Sequence, residues 1–218
     1  MRFKYQELFS EIGSKAKDLR KKTVMIIGAG SVGSVVAEML HREGINIRIV
    51  DMGRVNADSI QNEALYLLED DNKFKAKQVK KRLESIDDKN QVKTFHEELS
   101  EDNLFLLDSA DLVIDCSNDF KTMKMVGNHI KKKNFLISCK HSGSKGFIFI
   151  SDKKYYLKEV FDKIKLDEVK KDGFISPVSY LAGAIIVAHA LKTLVGAKIS
   201  DNFISFDVWK DQIRRINI

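Results

Sequence analysis

The sequence is almost without proline. Pro177 is the only one in 218 residues, and no stretch has the composition of a linker or a disordered tail, so one domain is expected across residues 1–218. Cysteine is scarce as well. Cys116 and Cys139 form no C-x-x-C pair, so neither a disulfide framework nor a structural zinc site can be read from them, and two reduced, buried thiols are expected. No apolar run follows Met1. The stretch carrying Phe3, Leu8, Phe9, Ile12, Ala16 and Leu19 has helical spacing rather than signal-peptide character, which predicts an opening helix, a cytoplasmic location and no membrane partner. Phe74 is the only aromatic between the lysines at 73–82, and none lies between those at 121–133. The net charge of +6 therefore reads as a solvated surface and argues against a nucleic-acid partner.

What is present alternates strand and helix. Residues 23–27, Thr-Val-Met-Ile-Ile, form a β-branched apolar run that stops at Gly28, as a buried parallel strand does. A helix over 31–43 and a strand over 45–50 ending at Asp51 complete a βαβ unit. The alternation continues with a helix over 73–86 (Phe74, Val79, Leu83 and Ile86 on one face), a strand over 111–115, a helix over 120–133, and strands over 135–139 and 146–150. Residues 153–171 read as a charged surface excursion that could cover the site. Ser176 as N-cap and Pro177 in the first helical position open an apolar helix to about Val195. Ser179, His189, Lys192 and Thr193 make that helix too polar for a membrane span, so a core or dimer-interface helix is expected. Strands over 203–208 and 212–218 close the chain as a hairpin. The expected fold is α/β: a Rossmann-like, doubly wound, mainly parallel sheet with an N-terminal helix, a C-terminal helix and an antiparallel hairpin.

Between the first strand and its helix lies Gly28-Ala29-Gly30-Ser31-Val32-Gly33. Three glycines at this spacing allow a tight turn, a close phosphate and close helix–sheet packing, and the N–H groups at the helix start bind the anion. Asp51, at the end of the second strand, stands where a carboxylate accepts ribose hydroxyls. The turn by itself leaves open whether the ligand is a dinucleotide or ATP. His41, His96, His129 and His189 have no clustered partners and read as structural. His141, in the glycine-containing segment 140–146, is a candidate for substrate contact.

Further motifs select between those ligands. Arg2-Phe3-Lys4-Tyr5-Gln6 followed by Glu11-Ile12-Gly13 lies where an R-Y-x-R-Q helix and E-I-G would stand. Asp51 and Val55 match a D-x-D-x-V-x-x-S-N-L-x-R-Q segment that here runs to Asn62-Glu63. Phe74-Lys75-Ala76 matches P-K-A, and Asp115-Cys116-Ser117-Asn118-Asp119-Phe120 matches D-C-T-D-N-F. Pro177-Val178-Ser179, Leu181-Ala182-Gly183-Ala184 and Phe206-Asp207 complete the pattern. In these respects the chain resembles the ThiF/MoeB/HesA family, prokaryotic relatives of ubiquitin-activating enzymes that adenylate the C-terminal carboxylate of a small ubiquitin-like sulfur carrier.

The resemblance implies ATP and Mg²⁺ as cofactors and a homodimer as the assembly. It places the nucleotide on Gly28, Gly30, Ser31, Val32, Gly33, Asp51, Met52, Gly53, Lys75, Cys116, Ser117 and Asn118. Lys75, one turn inside its helix, opposes the triphosphate, and Lys75 and Asp119 are the expected catalytic side chains. Asp115 and Asp119, at a strand's carboxyl end, are the expected magnesium ligands, since Mg²⁺ favours one or two carboxylates with phosphate oxygens. The chain also departs from the pattern. Asn118 and Asp119 are transposed relative to it, Tyr5 and Asn62 stand where it has arginine, and Ser59 stands where it has asparagine. Arg2, Lys4, Arg54 and Lys77 are the nearby cations that could stand in. No cysteine matches a sulfur-accepting position. The expected acceptor is a sulfur carrier protein. The alternatives are a small carboxylic acid, as in assembly of the iron-guanylylpyridinol cofactor, a non-catalytic nucleotide-binding partner, and an NAD-dependent oxidoreductase.

Overall fold

The computed structural model describes residues 2–130, 135–151, 173–199 and 203–216. The expected excursion at 153–171 lies outside them.

The opening stretch is not one helix. It consists of α1 (Lys4–Leu8), a 3₁₀ turn (Gly13–Lys15) and α2 (Ala16–Leu19). The chain doubles back so tightly at Gly13 that a Cβ there would lie 2.6 Å from the Glu7 carbonyl oxygen. Arg20 holds the fold-back, donating to Gln6 Oε1 and Glu7 Oε1, each at 2.9 Å, with its guanidinium 4.7 Å above the Phe3 ring.

The helices and strands that follow are β1 (Thr23–Ile27), α3 (Ser31–Arg42), β2 (Asn46–Val50), α4 (Lys75–Ile86), β3 (Val92–Phe95), β4 (Leu112–Asp115), α5 (Phe120–His129), β5 (Phe135–Ser142), β6 (Lys145–Ser151), α6 (Ser176–Leu194), β7 (Phe203–Asp207) and β8 (Gln212–Ile216). One eight-stranded sheet runs β3-β2-β1-β4-β5-β6-β7-β8. The first five strands in that order pair in parallel and the last three antiparallel. This is the doubly wound, mainly parallel sheet that the alternation predicts. Strand β3 is absent from the sequence reading because it is short and at the edge, and Lys93 breaks its apolar run with an exposed side chain.

The two faces carry separate cores. Val24, Ile26, Ile47, Ile49, Leu112, Ile114, Ile137 and Cys139 point toward α3, α4 and α6, while Met25, Ile27, Val113 and Leu136 point toward α5 and the 3₁₀ segment Glu101–Leu107. Such period-2 alternation, in strands apolar throughout at β1 and broken by Asn46 and Arg48 at β2, is what burial on both faces produces. The N-cap of α6 is Ile175, not Ser176, and no side chain caps it. Pro177 falls in the first turn, where its missing N–H deprives the helix of no internal bond.

By length and composition α6 could cross a membrane, but half of it is buried within this fold. Its buried face includes Gly183, where a Cβ would meet Val35 Cγ1 of α3 at 2.5 Å and Val35 Cβ at 3.1 Å. Valine is stiff at χ1 and cannot swing clear. We expect Gly183→Ala to destabilise by about 1–2 kcal/mol despite alanine's better helix propensity, measured by urea unfolding. An equal or raised midpoint would show that the two helices separate easily.

Candidate functional site

Gly28, Asp51 and Cys116 follow β1, β2 and β4 at the carboxyl edge of the sheet, where neighbouring crossovers run to opposite sides and ligands of such sheets sit. Gly28 has φ +86°, a left-handed conformation, and any Cβ there would press on the Cys116 carbonyl group at about 3.1 Å. Gly30 is the N-cap of α3 and no side chain caps that helix. The first N–H groups of α3 therefore face outward with the positive end of the helix dipole behind them. Asp51 braces the turn: Oδ2 accepts from Ala29 N and Oδ1 from Gly53 N, both at 2.7 Å. The Tyr66 hydroxyl donates to the Ala29 carbonyl at 2.6 Å. Each Asp51 oxygen retains a lone pair beyond these bonds, enough for a hydroxyl donor. Met52 is exposed, and Gly53 packs under Asp51 and the Lys75 stem.

Lys75 is the first residue of α4 rather than one turn inside it, because Phe74 is the extended N-cap. That position lets the side chain run past Gly53 toward the glycine turn, where Nζ lies 2.5 Å from Glu63 Oε1 and 5.8 Å from the Tyr66 ring centroid. Ser59 donates to Glu63 Oε2 at 3.0 Å. The Lys75 and Glu63 side chains are 14% and 6% exposed, so the pair is nearly dry. Sequence reasoning gave Glu63 no role, although an acid where the family pattern has glutamine was the available signal.

The segment after β4 differs from expectation. Asp115, expected to hold magnesium, is fully buried, and its Oδ1 accepts from Ser117 N at 3.0 Å and Ser117 Oγ at 2.6 Å. It supports the turn from beneath, and burial raises its pKa against the opposing pull of Lys140 and Ser117. Lys140 is buried beside it, its pKa lowered by burial and lifted by Asp115 and Asp119. Asp119 caps α5: Oδ2 accepts from Thr122 N at 2.7 Å and Thr122 Oγ1 at 2.8 Å, bonds that lower its pKa. Asn118, at φ 56°, spends its amide on the His141 backbone, donating to O at 3.2 Å and accepting from N at 3.1 Å. Cys116 contributes its backbone to the floor of the turn. Burial pushes its thiol pKa well up and that of Cys139 to about 12, which leaves both poor nucleophiles. Among the described residues no three His, Cys, Asp or Glu side chains gather to hold a metal ion.

His141, a sequence candidate for substrate contact, lies beside the start of α3: Nε2 is 3.1 Å from Ser31 Oγ, and Phe174 packs edge-on at 4.7 Å. Burial, then Lys140, lowers its pKa to about 4. A folded-state value below the unfolded one near 6.5 means that the unfolded chain takes up the proton first. The stability His141 supplies is therefore complete above about pH 6.5 and lost as the pH falls toward 4, an effect of about 3 kcal/mol. Urea midpoints measured from pH 7 to 4 should fall less in His141→Gln than in wild type; parallel curves would refute the assignment. Two of the four stand-in cations are otherwise engaged: Arg54 lies over Phe74 and donates to the Asn72 carbonyl, and Arg2 pairs with Asp87, while Lys4 and Lys77 are exposed.

The edge so described defines a Rossmann-like α/β protein with a braced glycine turn and a partly buried lysine beside it. The chain belongs to the ThiF family, whose model matches residues 3–218. It is 31% identical over 221 residues to the sulfur carrier protein ThiS adenylyltransferase of Bacillus subtilis (strain 168), covering 97% of this chain and 66% of that one. It is 29% identical over 130 residues to the sulfur carrier protein adenylyltransferase of Thermus thermophilus, covering 58% of this chain and 48% of that one. The matches thus span 66% and 48% of the length of these two relatives. Among solved structures, PaaA superposes with a TM-score of 0.81 at 20% identity, covering 100% of this chain and 72% of that one. The E. coli MccB structure with ATP superposes with a TM-score of 0.80 at 18% identity, covering 93% and 65%. At these identities the structural likeness establishes the fold.

Proposed function

We propose that the protein binds ATP at the glycine turn and adenylates a carboxylate, the acceptor being the C-terminus of a ubiquitin-like sulfur carrier protein. The observation that carries this reading is Lys75, an almost dry ammonium fixed 2.5 Å from Glu63 and facing the turn, in a chain of this family. Ribose hydroxyls would use the remaining lone pairs of Asp51, and phosphate oxygens the outward N–H groups of α3. An acceptor carboxylate oxygen attacks the α-phosphorus, the bond to the bridging oxygen breaks, and pyrophosphate leaves with the negative charge that Lys75 is placed to stabilise. Magnesium, when bound, would neutralise further charge on the triphosphate; Glu63 beside Gly30 and the exposed Asp119 are the carboxylates to consider, Asp115 being fully buried. The acceptor is supported by the names of the B. subtilis and T. thermophilus relatives. A homodimer fits Tyr5, Leu8 and Phe9, three large apolar side chains left exposed on and beside α1.

Carboxylate-dependent exchange of labelled pyrophosphate into ATP tests the reaction. Exchange stimulated by a sulfur carrier ending in a free carboxylate is expected. ATP binding without exchange for any carboxylate would favour the second reading, a nucleotide-binding structural partner, which the commitment of Asn118 and Asp115 to internal bonds supports. Exchange driven by a small carboxylic acid alone would move the acceptor to that class.

A further inference from the structure

Glu63 places a carboxylate where a polyphosphate pocket has least use for one. Its Oε1 lies 3.7 Å from the position a Cβ on Gly30 would take, on the side by which a phosphate approaches the turn. The neighbourhood is already acidic. The Tyr66 hydroxyl, held on the Ala29 carbonyl, has its pKa raised by burial and then by Asp51, Glu63 and Asp70 together. Asp70 is balanced by Lys73 at 3.3 Å and Arg82 at 3.0 Å. That leaves Asp51 and Glu63 against Lys75. Two carboxylates and one ammonium are net negative, so a free polyphosphate entering here meets like charge beside a carboxylate, Glu63, that is largely shielded from water. A hard divalent cation reverses that sign, because carboxylate and phosphate oxygens are its preferred ligands. The other acids near the turn are less available: Asp115 is buried under Ser117, and Asp119 caps α5.

We propose that Glu63 makes this site selective for the divalent-cation complex of its nucleotide, repelling the uncomplexed polyphosphate and offering a carboxylate oxygen to the cation directly or through its water shell. The inference rests on the nucleotide reading above. Lys75 keeps further N–H donors beyond the one on Glu63, so the same ammonium can hold the acid and meet a phosphate.

The test is equilibrium binding of ATP, with magnesium in excess and with EDTA, to wild type, Glu63→Gln and Glu84→Gln. Glutamine keeps the volume of Glu63 and an acceptor oxygen for Lys75, and its amide N–H can donate to Ser59 Oγ, whose own proton has the Asn56 carbonyl. Glu84 is an exposed acid paired with Lys80 at 3.7 Å and controls for net charge. Wild type is expected to favour the magnesium complex by about tenfold or more, the size of one close like-charge contact. Glu63→Gln should bring that ratio close to one, chiefly by binding free ATP more tightly, while Glu84→Gln leaves it unchanged. A folded Glu63→Gln protein with the wild-type ratio overturns the proposal. So does a wild type that binds both forms equally, a result that needs no variant and leaves ATP binding intact. A wild type that binds ATP under neither condition removes the nucleotide reading and this inference with it.

Discussion

Gly33→Ala is expected to destabilise the protein by about 2–3 kcal/mol and abolish nucleotide binding, whereas Gly30→Ala should fold normally and lose binding alone. A Cβ on Gly33 would be driven into the carbonyl oxygen of Gly28, with Cys116 Cβ at 3.4 Å on its other side. Backbone atoms cannot rotate away as a side chain can, so the turn and α3 would have to separate, against a helix-propensity gain of about 1 kcal/mol. At Gly30 the nearest atom to an added Cβ is Glu63 Oε1 at 3.7 Å, an ordinary contact, and the backbone φ of −79° lies outside the left-handed region. The methyl would stand where a phosphate approaches, and affinity should drop by about tenfold or more, as for a lost bond to a charged group. Urea unfolding and ATP titration of the two variants separate the roles. Equal losses of stability at both positions would contradict this division.

Lys75→Ala should reduce ATP affinity or turnover by about a hundredfold or more, the scale of a lost cation at a site of developing charge, while Lys80→Ala stays within about twofold. Both lysines lie on α4, but the Lys75 side chain is 14% exposed against 46% for Lys80. A second effect accompanies the first. Removing Lys75 leaves the 6%-exposed Glu63 carboxylate without its ion-pair partner, at a cost to stability of about 3 kcal/mol. The double variant with Glu63→Gln should recover most of that stability without recovering activity, and melting curves beside pyrophosphate exchange would show it. Recovery of both would mean that Lys75 acts only as the counter-ion of Glu63.

Much of this was legible in the chain. β1 and β4 are apolar runs ending at Gly28 and Asp115, as a strand buried on both faces has to be written, while β2, with Asn46 and Arg48 between its buried Ile47, Ile49 and Val50, is legible from its alternation and its end at Asp51. The spacing of Gly28, Gly30 and Gly33 encodes a turn whose atoms approach too closely for side chains, so the motif announced its own geometry. Other features depend on partners distant in sequence. Nothing local distinguishes Asp115 from Asp119, yet β5 and Lys140 cover the first while the second reaches the surface at the head of α5. The fold-back at Gly13 depends on Arg20 finding Gln6 and Glu7, contacts that no periodicity displays.

The sequence by itself determined the doubly wound sheet and the glycine turn and singled out Lys75 as a candidate, because period, glycine spacing and motif are properties of neighbours along the chain. Only the tertiary structure decided which charges are dry and which are paired. Burial of Asp115, the commitment of Asn118 to His141, and the closure of Glu63 onto Lys75 join residues 12 to 25 positions apart, and desolvation there sets what each charged group can still bind.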